Sequence, residues 1–273
     1  MFYKALSIAG FDGSGGAGLQ ADLKTFSALG CYGTTVLTSL PIQNTQGVSK
    51  IYDIPLKCIE QQCYSIFDDI EIDIIKIGML HKLSIIKLIA SILKNFPNIK
   101  VVIDPVMVAK SGHLLLESNA IKALREELLP FASIITPNIP EAEVLLGTKI
   151  SSREDMEKAA MALAQLGPTS VLIKGGHLEL HDMSQDVLFW DGKYQWFEAK
   201  RIVTNNTHGT GCTLSAAIAA LLAQKFLIND AVSIAKKYIT GAIQVGSNES
   251  IGHGNGPVHH FYHLWPALSL PGY

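Results

Sequence analysis

The sequence has 273 residues, of which 48% are hydrophobic and 17% charged, a composition typical of a compact soluble protein with a large core. Its formal net charge of −2 gives no reason to expect a nucleic acid or a membrane surface as partner. No apolar run reaches the roughly 18 residues of a membrane span. Four irregularly spaced cysteines without a CxxC pair favour reduced thiols over a structural zinc site, so we expect a cytoplasmic protein.

Short apolar runs alternate along the chain with longer segments of helical periodicity. The runs predict strands at 5–10, 33–39, 72–80, 100–107, 132–138 and 169–176. The segments with apolar residues every three to four positions predict helices at 18–30, 55–70, 83–96, 117–131, 152–167, 210–224 and 229–247. Several strands are apolar without alternation, as strands buried on both faces of a parallel sheet are.

This alternation predicts an α/β fold, a three-layer α/β/α sandwich with a mainly parallel central sheet. Residues 186–199 depart from it, because two aromatic runs flank the turn dipeptide Asp191–Gly192 and predict an antiparallel hairpin at one edge. No linker or repeat interrupts the pattern, so we expect one domain over residues 1–273.

The segments that directly follow the predicted strands are rich in Gly, Pro, Asn and Asp. They are residues 10–18, 39–47, 78–82, 104–112, 136–143 and 174–177. In open α/β sheets, ligands bind beyond the carboxyl ends of the strands. A ligand-binding edge explains this composition better than ordinary turns do.

A first glycine cluster lies between a predicted strand and a predicted helix, where Gly13, Gly15 and Gly18 form a G-x-G-x-x-G pattern. A dinucleotide-binding fold also requires an acidic residue about 20 positions further on, and residues 34–47 contain no carboxylate. We therefore reject an NAD-dependent oxidoreductase. Two interpretations stay open: the glycines permit a tight turn, or they let a small ligand lie against the backbone.

A second glycine cluster precedes the helix at 210–224. Gly209 and Gly211 leave the first N–H groups of this helix accessible, and those donors together with the helix dipole form an anion hole suited to a transferring phosphoryl group. The P-loop pattern is absent from the sequence. Glycine-mediated helix packing is the alternative.

Cys212 lies in the first turn of that helix. A helix N-terminus lowers the pKa of a thiol, so Cys212 is a candidate base for the proton of an alcohol, and a small buried hydrophobic residue otherwise. A phosphocysteine intermediate is disfavoured, because direct transfer to an alcohol requires none.

Three further residues at the strand ends are candidates for nucleotide binding. Lys174 closes an apolar strand, where an unpaired ammonium is costly to bury, and we expect it to meet a phosphate. Asn138 and Glu141 provide a route to a hydrated Mg²⁺, with Glu141 acting through water. The alternative for this pair is a helix N-cap with a solvated acid in the first turn.

Near the C-terminus, His259 and His263 have helical i, i+4 spacing, but no carboxylate or cysteine accompanies them. We expect an aromatic segment packed on the sheet rather than a metal site.

Seven ordered blocks together resemble the bacterial hydroxymethylpyrimidine/phosphomethylpyrimidine kinases of thiamine biosynthesis, which are ribokinase-like. The blocks are GFDGSGGAGLQADLKTFSALG, TSLPIQNTQGV, IKIGML, DPVMVAKSG, ITPNIPEAEVLLG, VLIKGGH and NTHGTGCTLSAAIAA. The resemblance implies ATP and Mg²⁺, a homodimer, and phosphorylation of 4-amino-5-hydroxymethyl-2-methylpyrimidine and then of its monophosphate. Small departures, such as Gly13 in place of a proline and His113 in place of a frequent aspartate, affect loop rigidity and substrate fit rather than the reaction.

The resemblance also implies roles for individual residues. Gln43 matches the position that bonds the aminopyrimidine, because an amide offers both a donor and an acceptor. Other pocket positions are Gly10, Asp22, Met79 and Val106; the nucleotide and anion positions are Lys174, Gly209, Thr210, Gly211 and Cys212.

Two alternative functions stay open. One is a pyridoxal or pyridoxine kinase, because the superfamily phosphorylates hydroxymethyl groups on both rings. The other is a non-catalytic pyrimidine-binding protein on the same fold.

Overall fold

The computed structural model describes residues 2–107, 118–176 and 182–265. The strands are β1 (Tyr3–Gly10), β2 (Cys31–Asn44), β3 (Gly47–Asp53), β4 (Ile74–Ile77), β5 (Lys100–Ile103), β6 (Ile134–Ile135), β7 (Ser170–Lys174), β8 (Met183–Trp190) and β9 (Lys193–Lys200). The helices are α1 (Gly18–Ala28), α2 (Leu56–Phe67), α3 (Leu83–Leu93), α4 (Ser118–Ala123), α5 (Ile139–Leu146), α6 (Arg153–Ala164), α7 (Thr210–Ala223) and α8 (Ile228–Gly246). A π-helical turn, Leu124–Leu128, and a 3₁₀ turn, Leu129–Phe131, extend α4.

The described strands form one sheet in the order β3-β2-β1-β4-β5-β6-β7-β8-β9. The six strands from β2 to β7 in this order pair in parallel, whereas β3, β8 and β9 are antiparallel to their neighbours. The predicted mainly parallel sheet is therefore confirmed, and β8 and β9 are the predicted hairpin.

Helices cover both faces of the sheet. On one face, side chains of α2 to α6 pack against alternate strand residues such as Leu6, Ile8 and Ile77. On the other face, α1, α7 and α8 pack against residues such as Ala5, Ile74 and Val102. The central strands bury side chains in both directions, which is why their sequences are apolar without alternation. Among the described helices, none is long and apolar enough to cross a bilayer.

The C-terminal aromatic segment packs differently from our expectation. Tyr262 contacts Gly241 of α8, and Nε2 of His263 lies 3.2 Å from the carbonyl oxygen of Ala28 at the end of α1. His260 is buried with Nε2 3.1 Å from Oγ1 of Thr213 in α7. The segment therefore covers the helical layer, not the sheet, because α7 and α8 already occupy that face of the sheet.

Candidate active site

The carboxyl ends of the parallel strands meet the N-terminus of α7 at one edge of the sheet. Asp104 follows β5, Thr136 follows β6, and Lys174 is the last residue of β7. An isolated parallel bridge between Asn138 and Lys174 holds the last two loops together. The polar residues that follow separate strands in the sequence are thus neighbours in space.

The turn into α7 is built around Gly209. This residue has φ 77° and ψ 7°, in the left-handed region that favours glycine, and a Cβ there would lie 1.7 Å from the carbonyl oxygen of Gly16. Oγ1 of Thr210 donates to the carbonyl oxygen of Thr207 at 2.8 Å. Two chain segments 193 positions apart are therefore in backbone contact here, which fixes the direction of the first N–H groups of α7.

Lys174 faces this turn. A Cβ on Gly211 would lie 3.2 Å from Nζ of Lys174 and 3.6 Å from Oδ2 of Asp104, so the ammonium lies directly against the first turn of α7. The predicted lysine and the predicted glycines are therefore brought together. An ammonium beside open helix N–H groups is a site for a phosphate.

Asp104 holds Lys174 in this position. Nζ of Lys174 donates to Oδ1 of Asp104 at 2.8 Å, and Oγ1 of Thr136 donates to the same oxygen at 3.1 Å. Burial disfavours the charged carboxylate, but the ammonium groups of Lys174 and Lys76 hold the pKa of Asp104 below its ordinary value. The DPVM block contains this aspartate, but the sequence pattern did not predict it as a site residue.

Beneath the turn lies a fully buried ion pair between Lys76 of β4 and Asp22 of α1. Nζ of Lys76 is 2.9 Å from both carboxylate oxygens, and Oγ of Ser7 donates to Oδ2 at 2.5 Å. Burial alone would lower the pKa of Lys76, but the charge of Asp22 raises it above its ordinary value. In this structure the Asp22 carboxylate faces Lys76, so a direct contact between Asp22 and a substrate stays a prediction.

Cys212 is in an environment that opposes thiolate formation. Burial raises the pKa of its thiol to about 11, the charges of Asp22 and Asp104 add to this, and Lys76 and the backbone of Gly18 oppose it. The expected lowering by the helix N-terminus is therefore outweighed. At neutral pH the resting side chain is a neutral thiol.

Asn138 and Glu141 form a reciprocal capping box at the start of α5. The Glu141 backbone N–H donates to Oδ1 of Asn138 at 2.9 Å, and the Asn138 N–H donates to Oε2 of Glu141 at 2.8 Å. The acid is not solvated, because it is only 3% exposed. Burial raises its pKa to about 7, opposed by Lys174 and reinforced by Asp104.

At the other end of the cleft, Gln43 lies beside His208 and Asp12. Nε2 of Gln43 is 3.2 Å from Nε2 of His208, which in turn is 2.7 Å from Oδ2 of Asp12. Asp12 precedes the first glycine cluster, and neither it nor His208 was predicted from the sequence as a site residue. His208 is the first residue of HGTGC, and nothing in this local pattern indicates a partner 196 positions away.

The remaining pocket positions lie at the ends of β1, β4 and β5. A Cβ on Gly10 would lie 3.2 Å from Cε of Met79 and 2.7 Å from Oγ of Ser39, so the glycine leaves space beside both side chains. Oγ1 of Thr38 donates to the Met79 carbonyl oxygen at 3.2 Å, and the Val106 N–H donates to the Asp104 carbonyl oxygen at 2.8 Å. His113 lies outside the described residues.

The family follows from comparison with known proteins. A family model described as phosphomethylpyrimidine kinase matches residues 12–259. The chain belongs to the phosphomethylpyrimidine kinase family. The family predicted from the seven sequence blocks is confirmed, and the ribokinase-like fold with it.

Relatives cover nearly the whole chain of this family member. The hydroxymethylpyrimidine/phosphomethylpyrimidine kinase of Rhizobium meliloti (strain 1021) is 48% identical over 96% of this chain and 98% of its own length. The thiamine biosynthesis bifunctional protein ThiED of Geobacter sulfurreducens is 48% identical over 93% of this chain, but the match spans 51% of that longer protein. The crystal structure of an ADP complex of Bacillus subtilis pyridoxal kinase has a TM-score of 0.87 and 39% identity over 95% of this chain and 98% of its own.

Proposed function

We propose that the protein transfers the γ-phosphoryl group of ATP to the hydroxymethyl group of 4-amino-5-hydroxymethyl-2-methylpyrimidine, and then phosphorylates the monophosphate to the diphosphate, in thiamine biosynthesis. The observation that carries this proposal is the ammonium of Lys174 against the glycine turn that opens α7. A protein that only binds a pyrimidine has no use for such a phosphate site.

The chemistry needs few protein groups. The hydroxyl oxygen forms a bond to the γ-phosphorus while the bond from phosphorus to the bridging oxygen breaks, and ADP leaves with that electron pair. Lys174 and the N–H groups of Gly211 and Cys212 stabilise the charge on the phosphoryl oxygens. Cys212 accepts the hydroxyl proton as its thiolate, which the raised pKa keeps scarce at neutral pH, so its contribution is modest.

The acidic residues fit a magnesium ion, which prefers oxygen ligands and keeps most of its waters. Asp104 and Glu141 are buried carboxylates that both interact electrostatically with Lys174. Burial is the main cause of the raised pKa of Glu141, and a divalent cation nearby would favour its ionised form. When bound, the metal would neutralise phosphate charge, with Glu141 reaching it through water and Asn138 fixing the Glu141 backbone.

A homodimer forms part of the proposal. All seven residues of β3 are exposed at the edge of the sheet, among them Val48, Ile51 and Tyr52, and Ile42 of β2 is also exposed. An edge strand with apolar side chains is a surface that a second copy covers. Light scattering should give twice the chain mass, and Ile51→Lys should give a monomer; a monomeric parent protein would contradict this.

A coupled assay tests the kinase. ADP release should require the pyrimidine, and turnover should be much higher with the aminopyrimidine than with pyridoxal or pyridoxine. Pyrimidine binding without ADP release would indicate a binding protein, and a preference for pyridoxine would indicate a pyridoxal-type kinase. A single kinase domain over residues 1–273 and a cytoplasmic location also stay predictions.

A further inference from the structure

The contact between Gln43 and His208 brings together two nitrogen atoms that can both act as hydrogen-bond donors. Nε2 of Gln43 carries two hydrogens and is 3.2 Å from Nε2 of His208. The same ring nitrogen is 2.7 Å from Oδ2 of Asp12. If Asp12 is ionised, that ring nitrogen must carry a hydrogen.

Asp12 is held in its ionised form. Oδ1 accepts from the N–H and hydroxyl of Ser14, and Oδ2 accepts from the N–H groups of Gly16 and Ala17. Burial opposes ionisation, but the hydrogen bonds from His208 and Ser14 lower the pKa of Asp12 to about 2. A carboxylate can only accept, so Nε2 of His208 carries hydrogen whether the ring is neutral or charged.

The ring itself is fixed in place. The backbone N–H of His208 donates to the Gly256 carbonyl oxygen at 3.0 Å, and a Cβ on Gly16 would lie 2.5 Å from Cδ2 of the imidazole ring. The imidazole therefore packs against the Gly16 backbone, which also contacts the turn that opens α7.

The amide of Gln43 has one orientation that suits this neighbour. A half-turn about its Cγ–Cδ bond exchanges two groups of nearly equal size and places Oε1 beside the ring N–H, whose hydrogen it then shares with Oδ2 of Asp12. Oε1 then keeps one lone pair for a ligand, and Nε2 presents its hydrogens beside it. The opposite orientation puts two donors face to face.

We propose that Asp12 and His208 lock the Gln43 amide in this orientation and thereby make the pocket select 4-aminopyrimidines against 4-oxopyrimidines, a step that rests on the proposed function. A 4-aminopyrimidine offers a donor beside an acceptor ring nitrogen, which matches Oε1 and Nε2. A 4-oxopyrimidine offers the reverse order, an acceptor beside an N–H. A free glutamine would turn over and accept either edge, whereas a locked one leaves polar groups unpaired and rejects the oxo compound.

The test compares two substrates in three proteins. The dissociation constants of 4-amino- and 4-oxo-5-hydroxymethyl-2-methylpyrimidine are measured by calorimetry without nucleotide, and kcat/KM is measured with ATP. The parent protein should prefer the amino compound by about 100-fold or more. His208→Phe keeps a ring on Gly16 but has no N–H, and should reduce this preference at least about tenfold in both measurements.

The ratio of kcat/KM for the amino compound to kcat/KM for the oxo compound separates loss of the Gln43 orientation from a general loss of activity. Damage to the neighbouring phosphate site lowers kcat with both substrates equally. His208→Gln places an amide N–H near the position of Nε2, where Asp12 still orients it, and should restore the preference. An unchanged ratio in His208→Phe would overturn the proposal, as would failure of His208→Gln to restore it when that variant folds.

A measurement on the unaltered protein protects the test against misfolded variants. Nitrogen-15 spectra report which ring nitrogen of a histidine is protonated, and through-bond correlation to the His208 backbone assigns its ring signals in the unaltered protein. Protonated Nε2 is expected, and a lone pair on Nε2 would overturn the lock. A parent protein that phosphorylates both pyrimidines equally also overturns it but leaves the kinase intact, whereas failure to bind either pyrimidine refutes the proposed function itself.

Discussion

The thiol of Cys212 is the residue whose expected chemistry the structure changes most. Its pKa of about 11 leaves few thiolates at neutral pH, and a loose phosphoryl-transfer transition state asks little of a base. Cys212→Ala should therefore lower kcat by about 10- to 100-fold, with pyrimidine affinity nearly unchanged. Steady-state kinetics and calorimetry check this, with Cys58→Ala as the control because that cysteine is exposed on α2. Undiminished turnover would remove Cys212 from the mechanism.

Gln43 should affect binding rather than turnover. Gln43→Ala removes both hydrogen bonds to the pyrimidine edge and should raise KM by about 1–3 kcal/mol, roughly 5- to 150-fold, with a smaller effect on kcat. Gln46→Ala makes the same truncation on the exposed turn after β2 and should leave KM unchanged. An unaltered KM for Gln43→Ala would place Gln43 outside the pocket.

Single residues could be predicted where a strand end or a helix start defines their surroundings. Lys174 and Gly211 follow from position alone, because strand ends and helix N-termini converge at one edge. The roles of Asp104 and His208 depend on partners 70 and 196 positions away, which no local pattern specifies. Lys76 did leave a local sign, as a lysine inside the apolar strand Ile74–Ile77 must have a buried partner.

The N-terminal turn of α7 is the element on which the phosphate site depends. In Gly209→Ala, the alanine would need a left-handed φ of 77°, and its Cβ would lie 1.7 Å from the Gly16 carbonyl oxygen. The turn must therefore move. We expect loss of nearly all kinase activity and about 2 kcal/mol or more of unfolding free energy.

Gly30→Ala is a matched control for this substitution. Gly30 has φ 78°, but a Cβ there would have no heavy atom within 4 Å, so it carries the backbone strain without the clash. It should cost about 1 kcal/mol and preserve activity. Chemical denaturation measures the free energy of unfolding, and the ADP assay measures the activity. Equal losses in Gly209→Ala and Gly30→Ala would contradict a special role for the turn.

Helices and strands were predictable where burial imposes a regular pattern of apolar residues on the sequence. The core strands and the long helices appear as expected, but β3 was missed because all of its residues are exposed and show no alternation. Helix α5 was also missed, since its eight residues offer little more than two turns of periodicity. Its capping box was the available signal, and Asn138 was indeed considered as an N-cap.

At the scale of the molecule, two buried groups couple stability to pH in opposite directions. Burial lowers the pKa of His260 to about 4, so its contribution raises stability as the pH rises from 4 to 6.5. Glu141 has a folded-state pKa of about 7 against an ordinary 4.5, so the folded state binds more protons between those values. The Glu141 contribution therefore lowers stability as the pH rises from 4.5 to 7. The measured dependence of the free energy of unfolding on pH is the sum of the two contributions.

Glu141→Gln separates them. Glutamine keeps the capping box, because its carbonyl oxygen still accepts the Asn138 N–H, but it cannot ionise. The stability of the parent protein minus that of the variant cancels the His260 contribution and should fall by about 2–3 kcal/mol between pH 4.5 and 8. Asp12 adds nothing in this window, since its pKa is about 2. Urea denaturation without magnesium at several pH values measures the difference, and a pH-independent difference would show that folding leaves the pKa of Glu141 unchanged. Added magnesium should stabilise the parent protein more than the variant, most strongly at pH 8 where the carboxylate is charged.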